Sequence, residues 1–288
     1  MNPIGANAWI WHSPLTDERL SELAPRVRRW GFDIVELPIE QHGDWDPARA
    51  AEVLQANELR ATVCVAMGPG RELCATDAGT VASTQSFLKE CVDTAAVVGS
   101  GCIAGPIYAS VGRTWRMSAD ERRSVYAELR EGLRPVCEYG AERGVKIAVE
   151  PLIRYETSVI NTVEQALEVI EDLPAEGCGL LLDTYHANVE EKDFSGSFAL
   201  GGARIAHVHA SANDRGAPGA DHVDWPGFRD GLRAAGYDGP VVIESFTAEN
   251  ETIATAASVW RPLASSQDAI AVDGLAFLRE LFAEVPAV

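Results

Sequence analysis

The chain has 288 residues, of which 47% are hydrophobic and 23% are charged, so its composition is that of an ordinary globular protein. Its 24 Lys and Arg residues against 43 Asp and Glu residues give a formal net charge of −19. A chain this negative repels phosphodiester backbones and anionic lipid surfaces, which argues against nucleic-acid and membrane partners. A divalent cation or a neutral small molecule suits this charge better. The length fits two average domains or one large α/β barrel.

The cysteines and the N-terminus bear on the cellular compartment. The six cysteines form no CxxC pair, and most lie in apolar segments such as ATVCVAM, which predicts reduced thiols rather than a disulfide framework or a zinc cluster. The N-terminal MNPIGANAW has neither the positive region nor the long apolar region of a signal peptide. No apolar run approaches the roughly 18 residues that a membrane span requires. We therefore expect a cytoplasmic protein.

Short apolar runs alternate along the chain with longer amphipathic runs. This alternation predicts βαβ units and a parallel sheet. The predicted strands are 4–10, 32–38, 59–67, 102–108, 145–151, 177–183, 204–210 and 239–245. The predicted helices are 16–30, 46–57, 79–99, 118–143, 162–173, about 189–200, 226–236 and 266–284. Gly31, Gly144 and Gly236 each stand where a helix ends before a strand, as helix-terminating glycines do.

Eight such units indicate a single (β/α)8 barrel that covers residues 1–288 as one catalytic domain. A doubly wound open sheet would carry a glycine-rich phosphate-binding turn after its first strand, whereas here the first predicted strand runs into WIWHSPLTDE. The functional residues of a (β/α)8 barrel lie at the C-terminal ends of its strands. The long connections 109–117, 211–224 and 246–265 are expected to overhang that end.

The last four predicted strands each end in or beside a group that can bind a metal. These residues are Glu150, Asp183, His209 and Glu244. Any one of them alone is most simply read as a loop-capping or helix-capping group, and His207 is interpreted as a structural histidine. Four on consecutive strands converge, however, and three carboxylates in a small volume need protons or a cation to offset their repulsion. Carboxylates with one imidazole suit Mn²⁺, Mg²⁺ or Co²⁺.

Three further polar residues follow these strand ends. Glu156 lies six residues after Glu150, His186 three residues after Asp183, and Arg215 six residues after His209. Charged loop residues are usually exposed. Because these three are attached to the loops that carry the predicted ligands, we interpret them as contacts to a substrate.

The segments around these residues resemble the ketose 3-epimerases, the D-tagatose and D-psicose (allulose) 3-epimerase group of the xylose-isomerase-like barrels. The resemblance rests on EPLIRYETSVINT, LLDTYHANVEE, HVHASANDRGAPG, VVIESF and the late WRPL, and it covers nearly the whole chain. It implies that the four predicted ligands hold a metal, commonly Mn²⁺, and that Glu150 and Glu244 also act as the acid/base pair. It further implies that Glu156, His186 and Arg215 grip the C1–C2 end of the ketose. Phe246 would form part of an apolar wall, and Gly68 would lie in a loop that lines the pocket.

The chemistry of such a site can be stated from the residues. Inverting the carbinol carbon beside a ketone requires removal of a weakly acidic proton and its return to the opposite face. A cation stabilises the enediolate charge that develops, and two opposed carboxylates serve as base and acid.

The sequence departs from many relatives at Ala212, where they carry Glu. The loop after the fourth strand also lacks a tryptophan at the place where some psicose enzymes have one, although Trp115 is near.

Other functions remain open at this point. The same barrel could carry an aldose–ketose isomerase of the hydroxypyruvate type, an inosose dehydratase or a phosphosugar epimerase, and Arg113 and Arg116 could hold a phosphate. It could also be an inactive metal- or sugar-binding module, although two opposed carboxylates favour an enzyme. We favour a free ketohexose or ketopentose as the substrate because the chain is acidic.

A homodimer or homotetramer is expected from the resemblance and from four large aromatic residues in loops and at helix ends, Trp30, Trp45, Trp225 and Trp260.

Overall fold

The computed structural model describes residues 2–283. Eight parallel strands pair in chain order, and the first also pairs with the eighth, which closes a barrel. The strands are β1 (Ile4–Asn7), β2 (Ile34–Ile39), β3 (Arg60–Val65), β4 (Cys102–Gly105), β5 (Lys146–Val149), β6 (Cys178–Asp183), β7 (Ile205–Ala210) and β8 (Val241–Ile243). The predicted (β/α)8 fold is confirmed. Residues 1 and 284–288 of the predicted domain, and with them the predicted end of the last helix at 284, lie outside the described residues.

Helices follow every strand of the barrel. They are α1 (Asp17–Trp30), α2 (Pro47–Ala56), α3 (Ala78–Val98), α4 (Ala119–Ala141), α5 (Val163–Ile170), α6 (Thr184–Glu190), α7 (Phe194–Gly201), α8 (Trp225–Ala235), α9 (Glu251–Ala256) and α10 (Gln267–Phe282). Gly31 and Gly236 end α1 and α8 in the left-handed conformation that the sequence predicts, with φ of +98° and +69°. Over residues 2–283, none of these helices is both long and apolar enough to cross a membrane.

Two layers of side chains result from the alternation of residues along the strands. In β2, Val35 and Leu37 join the main hydrophobic core, whereas Glu36 between them points to the inside of the barrel and is fully buried. Apolar side chains of β4, β5 and β6 form a separate cluster, Cys102, Ala104, Ala148 and Leu181. All six cysteines are free and buried, as predicted.

The structure corrects four sequence predictions, one of which is the fourth strand, predicted to reach residue 108 but ending at Gly105. The first strand, predicted to reach residue 10, ends at Asn7 because its side chain accepts the amide of Trp9 and begins a short 3₁₀ turn. The sixth helical segment, predicted at about 189–200, is two helices, because Asp183 caps α6 and Asp193 caps α7. The connection 246–265, predicted as a loop, contains α9.

The predicted oligomer finds little support in three of the four tryptophans. Trp45 and Trp225 are buried in the core, and Trp30 stacks on the ring of Trp11 at 5.7 Å. Trp260 alone among the four is largely exposed, at 73%. The oligomeric state therefore stays a prediction.

Candidate active site

The four predicted metal ligands lie at the carboxyl ends of consecutive strands. Glu150 directly follows β5, and Asp183 is the last residue of β6. His209 is the second-to-last residue of β7, and Glu244 directly follows β8. All four are buried, with 1% to 6% of each residue exposed. The barrel therefore brings the four side chains to one end of its interior.

Three of these side chains face one another directly. His209 Nδ1 lies 3.3 Å from Glu244 Oε1 and 4.0 Å from Asp183 Oδ2. Each of the three offers a ligand atom within 4.8 Å of the others. Glu150 joins them through Asp183, with which it forms a second group of the same size that includes His186. The two groups share Asp183 and so form one continuous cluster.

Arg215 lies against the same cluster. Its Nη1 donates to Asp183 Oδ2 at 2.7 Å and to Glu244 Oε2 at 2.8 Å. Its guanidinium carbon lies 3.9 Å from the centre of the Tyr185 ring and 5.4 Å from that of Phe246. The backbone of Arg215 has φ of +65°, a left-handed conformation that is uncommon for a residue with a side chain. The turn after β7 thus directs a buried cation at two carboxylates.

His186 and Glu150 meet on the other side of the cluster. His186 is the third residue of α6, which begins directly after Asp183 because the Asp183 carboxylate accepts the amide of Tyr185 at 2.6 Å. The ring Nδ1 accepts the amide of Ile153 at 3.1 Å. The other nitrogen, Nε2, lies 3.6 Å from Glu150 Oε1 and 3.2 Å from Arg215 Nη2. His186 therefore connects the β5 and β7 loops at the cluster.

Burial and charge shift the acidic groups in opposite directions. Burial, with the charge of Glu244 next, raises the pKa of Glu150 well above its usual value. Burial also raises the pKa of Asp183 to about 6, although Arg215 opposes it. Burial acts on Glu244 as well, but the positive charges of His209 and Arg215 outweigh it and lower its pKa to about 2. Two carboxylates of one cluster thus differ in their preferred protonation state.

The predicted substrate contacts are also perturbed. Glu156 is half-buried in the loop after β5, and burial raises its pKa to about 7 against the effect of Arg215. Burial, followed by the charge of Arg215, lowers the pKa of His186 well below its usual value. The charges of Glu36 and Glu244 outweigh burial at His209 and raise its pKa well above the usual value. Perturbed groups of this kind gather at functional sites.

The donor set fits a divalent cation. Among the described residues, Glu150 Oε1 and His209 Nδ1 are buried without a hydrogen-bond partner, although buried polar atoms are rarely left without one. Both atoms belong to predicted ligands. Carboxylate oxygens with one imidazole nitrogen form a ligand set of the kind that Mn²⁺ or Mg²⁺ takes, and it contains no thiolate.

Glu36 is a residue that the sequence reasoning missed. Its carboxylate lies 2.8 Å from His209 Nε2 and 2.6 Å from His207 Nε2, inside the barrel. The signal available in the sequence was a single acidic residue in the apolar strand FDIVELP. His207, interpreted as a structural histidine, is buried and is one of the two rings that Glu36 binds.

The remaining predicted positions lie around the cluster. Phe246 is buried after β8 and packs on Trp9, with their ring centres 5.6 Å apart. Gly68 lies in the loop after β3, where a Cβ would meet nothing within 4 Å, and no hydrogen bond links it to the cluster residues. Ala212 is buried, and its carbonyl accepts the amide of Arg215 at 2.9 Å. Trp115 packs at the edge of the core beneath the guanidinium of Arg113, 4.9 Å from it.

Comparison with known proteins gives the family of this chain. Residues 24–281 match the family model of the xylose isomerase-like TIM barrels. A protein of Synechocystis sp. described as a probable ketose 3-epimerase is 31% identical over 96% of both chains. An L-ribulose 3-epimerase of Methylomonas sp. is 27% identical over 96% of this chain and 97% of its own.

Solved structures agree with the sequence relatives. The crystal structure of a D-allulose 3-epimerase from Methylomonas sp. in complex with D-allulose superposes with a TM-score of 0.90 at 26% identity, covering 98% of this chain and 97% of that one. Because the family match spans most of the chain and the Synechocystis relative aligns along nearly all of it, the chain belongs to the xylose isomerase-like TIM barrel family and, within it, to the ketose 3-epimerases.

Proposed function

We propose that the chain epimerises free ketoses at C3 by removing a proton from one face of the carbon and returning one to the other. The observation that carries this proposal is that Glu150 and Glu244 reach one buried cluster from β5 and β8, two strands separated by β6 and β7. An inversion needs two proton carriers on opposite sides of the substrate. The names of the relatives from Synechocystis and Methylomonas support the same reaction.

The two carboxylates divide the proton transfers between them. Glu244 accepts a hydrogen bond from Arg215 and lies beside His209, so its charged form is favoured, and in one direction of the reaction it takes the C3 proton. Glu150 Oε1 has no hydrogen-bond partner among the described residues and is the group that delivers a proton to the other face. In the reverse direction the two exchange roles.

Three residues hold the rest of the substrate. Arg215 and His186 contact the cluster from the loop after β7 and from α6, and Glu156, in the loop after β5, is near enough for Arg215 to act on its pKa. We assign these three residues the C1–C2 end of the ketose. Arg215 and His186 offer donors to the carbonyl and hydroxyl oxygens, and Glu156 offers an acceptor. Phe246 and Trp9 form an apolar wall beside Arg215 that excludes water from the reacting carbon.

A divalent cation completes this site. Glu150, Asp183, His209 and Glu244 would hold it, and Mn²⁺ is the proposed ion, with Mg²⁺ or Co²⁺ as substitutes. When bound, the cation supplies positive charge that stabilises the enediolate formed by loss of the C3 proton. Arg215 keeps Asp183 and Glu244 aimed at the same point in the cluster.

The surroundings favour a free sugar over a phosphorylated one. Arg113, which could have held a phosphate, donates to the carbonyls of Cys74 and Ala75 and stacks on Trp115. Arg116 is exposed. D-psicose, D-tagatose, D-fructose and ketopentoses such as ribulose are the proposed substrates.

We also propose that residues 1–288 form a single catalytic domain. The cytoplasmic location and the homodimer or homotetramer stay predictions.

Exchange in D₂O tests the reaction. With Mn²⁺ present, a free ketose should gain deuterium at C3 and yield its C3 epimer, as read by NMR and chromatography. An aldose–ketose isomerase of the hydroxypyruvate type would give an aldose with label at C1, and an inosose dehydratase would release water. Either product, or faster turnover of the ketose phosphates in a parallel panel, would replace this proposal.

Chelation tests the metal. Treatment with a chelator should abolish turnover and lower the melting temperature, since an ion that binds only the folded chain stabilises it. Addition of Mn²⁺ should restore both. Full turnover after the metal content has been reduced below one tenth of the protein concentration would contradict the metal requirement.

A further inference from the structure

A fully buried carboxylate in the barrel interior lies beneath the active site. Glu36 belongs to β2, and its neighbours in register are Asn7 on β1 and Thr62 on β3. Asn7 Nδ2 donates to Glu36 Oε2 at 2.8 Å, and Thr62 Oγ1 donates to Oε1 at 3.0 Å. The two imidazoles of β7 reach the same carboxylate from across the barrel, His207 at Oε1 and His209 at Oε2. Each oxygen of Glu36 therefore has two partners.

The hydrogen bonds around Glu36 establish which ring nitrogens carry protons. The Asn7 amide is oriented, because its Oδ1 accepts the amide of Trp9 at 2.8 Å and its Nδ2 is the donor. An ionised carboxylate only accepts hydrogen bonds. Both imidazole Nε2 atoms must therefore carry a hydrogen.

With Nε2 committed to Glu36, Nδ1 is the ring nitrogen of His209 that can exchange its proton for a metal. This atom lies 3.3 Å from Glu244 Oε1 and has no hydrogen-bond partner among residues 2–283. At this distance Nδ1 and the carboxylate oxygen need a proton or a cation between them, and a metal ion that displaces the proton would bind both atoms. The contact on Nε2 thus prepares the opposite nitrogen of the ring as a metal ligand.

We propose that Glu36 is a positioning residue of the metal centre: it holds His209 in the Nε2–H tautomer with Nδ1 directed at Asp183 and Glu244. This inference rests on the metal dependence proposed above. Partners of this kind on the far nitrogen of a ligating histidine fix its tautomer and orientation, and their loss commonly lowers metal affinity 10- to 100-fold. Asn7 and Thr62 hold Glu36 in turn, so the arrangement extends to β1 and β3.

A carboxylate is required at this position because both histidines donate. In Glu36→Leu, both acceptor oxygens are lost, and the Nε2–H groups of His207 and His209 are left buried without a partner. To restore a hydrogen bond, a ring must move its proton to Nδ1 or turn away. A proton on Nδ1 of His209 removes the lone pair that binds the metal.

Metal affinity is the first test. A titration in which free Mn²⁺ is measured by electron paramagnetic resonance should show that Glu36→Leu binds Mn²⁺ 10- to 100-fold more weakly than the wild type. The matched control is Glu191→Leu, which removes a half-buried carboxylate that accepts the amide of Val163 outside the site, and its affinity should be unchanged. Circular dichroism shows whether each variant is folded. Wild-type affinity in folded Glu36→Leu would overturn the proposal.

The tautomer is the second test and needs no variant. In the wild-type protein loaded with Mg²⁺, ¹⁵N NMR of labelled histidine should show His209 with its proton on Nε2, whatever the stability of Glu36→Leu. A folded Glu36→Leu should lose that signature, which a purely structural role would not alter. A proton on Nδ1 of wild-type His209 in the loaded protein would overturn the proposal. Absence of any Mn²⁺ or Mg²⁺ binding by the wild type would instead refute the metal dependence proposed above, and this inference with it.

Discussion

Replacement of Arg215 by methionine tests how the active site balances its charge. Arg215 donates to Asp183 and Glu244 through one nitrogen, and its side chain is only 9% exposed. Methionine keeps a long side chain between Tyr185 and Phe246 but removes the positive charge. Both carboxylates then remain buried without this partner, which is the costly way to break a buried ion pair.

The expected loss of stability follows from the burial of the pair. Removal of one partner of a buried pair costs about 3–5 kcal/mol. Asp183 can avoid part of this cost by taking up a proton, because its pKa is already about 6 in the native protein, so we expect about 3 kcal/mol. For 288 residues at about 2.1 cal/mol/K per residue, this loss lowers the melting temperature by about 5 °C.

A metal changes the expected result. A cation held by Asp183 and Glu244 would supply the positive charge that Arg215→Met removes, so the loss in saturating Mn²⁺ should be less than half the loss in chelator. Differential scanning calorimetry at pH 7.5 under both conditions measures the two values. The control is Arg261→Met, because the Arg261–Asp214 pair is exposed and is expected to contribute less than about 1 kcal/mol under either condition. An equal loss for Arg215→Met in chelator and in Mn²⁺ would refute the reasoning.

Three further predictions concern catalysis, pH and packing. Glu150→Gln and Glu244→Gln should each lower kcat for C3 epimerisation by about 10²-fold or more, whereas the control Glu191→Gln should not. A near-normal kcat in Glu150→Gln or Glu244→Gln would exclude the two-carboxylate mechanism. Burial raises the pKa of Glu156 from 4.5 to about 7, so between these pH values Glu156 keeps a proton in the folded protein that it has lost in the unfolded chain. The melting temperature in chelator should therefore fall as the pH rises from 5 to 7. Glu156→Gln should flatten that fall, and an equally steep profile would contradict the assignment. Gly132→Ala should destabilise the protein by about 1–3 kcal/mol, because the new Cβ would lie 2.7 Å from the carbonyl oxygen of Leu73. The control Gly101→Ala should cost less, because a Cβ at Gly101 meets open space. Equal melting temperatures for the two variants would contradict the packing argument.

The strands and helices of the barrel could be predicted because their pattern is local. Apolar runs of strand length, separated by amphipathic runs, mark β/α units without knowledge of any contact. Two of the errors arose where a polar side chain caps the end or the start of an element. Asn7 ends β1 by binding the amide of Trp9, and Asp193 starts a new helix where the amphipathic pattern runs on. Side-chain capping of this kind depends on backbone geometry that residue type alone does not determine.

The cluster could be predicted for a similar reason and Glu36 could not. Glu150, Asp183, His209 and Glu244 stand at strand ends, and the barrel topology places all strand ends at one mouth. Glu36 lies in the middle of β2, and its partners His207 and His209 lie on the opposite wall. Contacts across a barrel depend on strand tilt and stagger, which the order of residues along a strand does not reveal.

The balance of charge at the mouth explains why these residues can share one buried volume. Five carboxylates gather there or directly beneath it: Glu36, Glu150, Glu156, Asp183 and Glu244. Arg215 and His209, whose charged form Glu36 and Glu244 favour, offset two of these charges, and burial favours the protonated form of Glu150, which removes a third. A catalytic cycle that passes a proton between Glu150 and Glu244 cannot keep Glu150 protonated throughout. When Glu150 gives up its proton, its charge needs another partner, and the divalent ion proposed above, held among Asp183, His209 and the two glutamates, is one that the donor atoms fit.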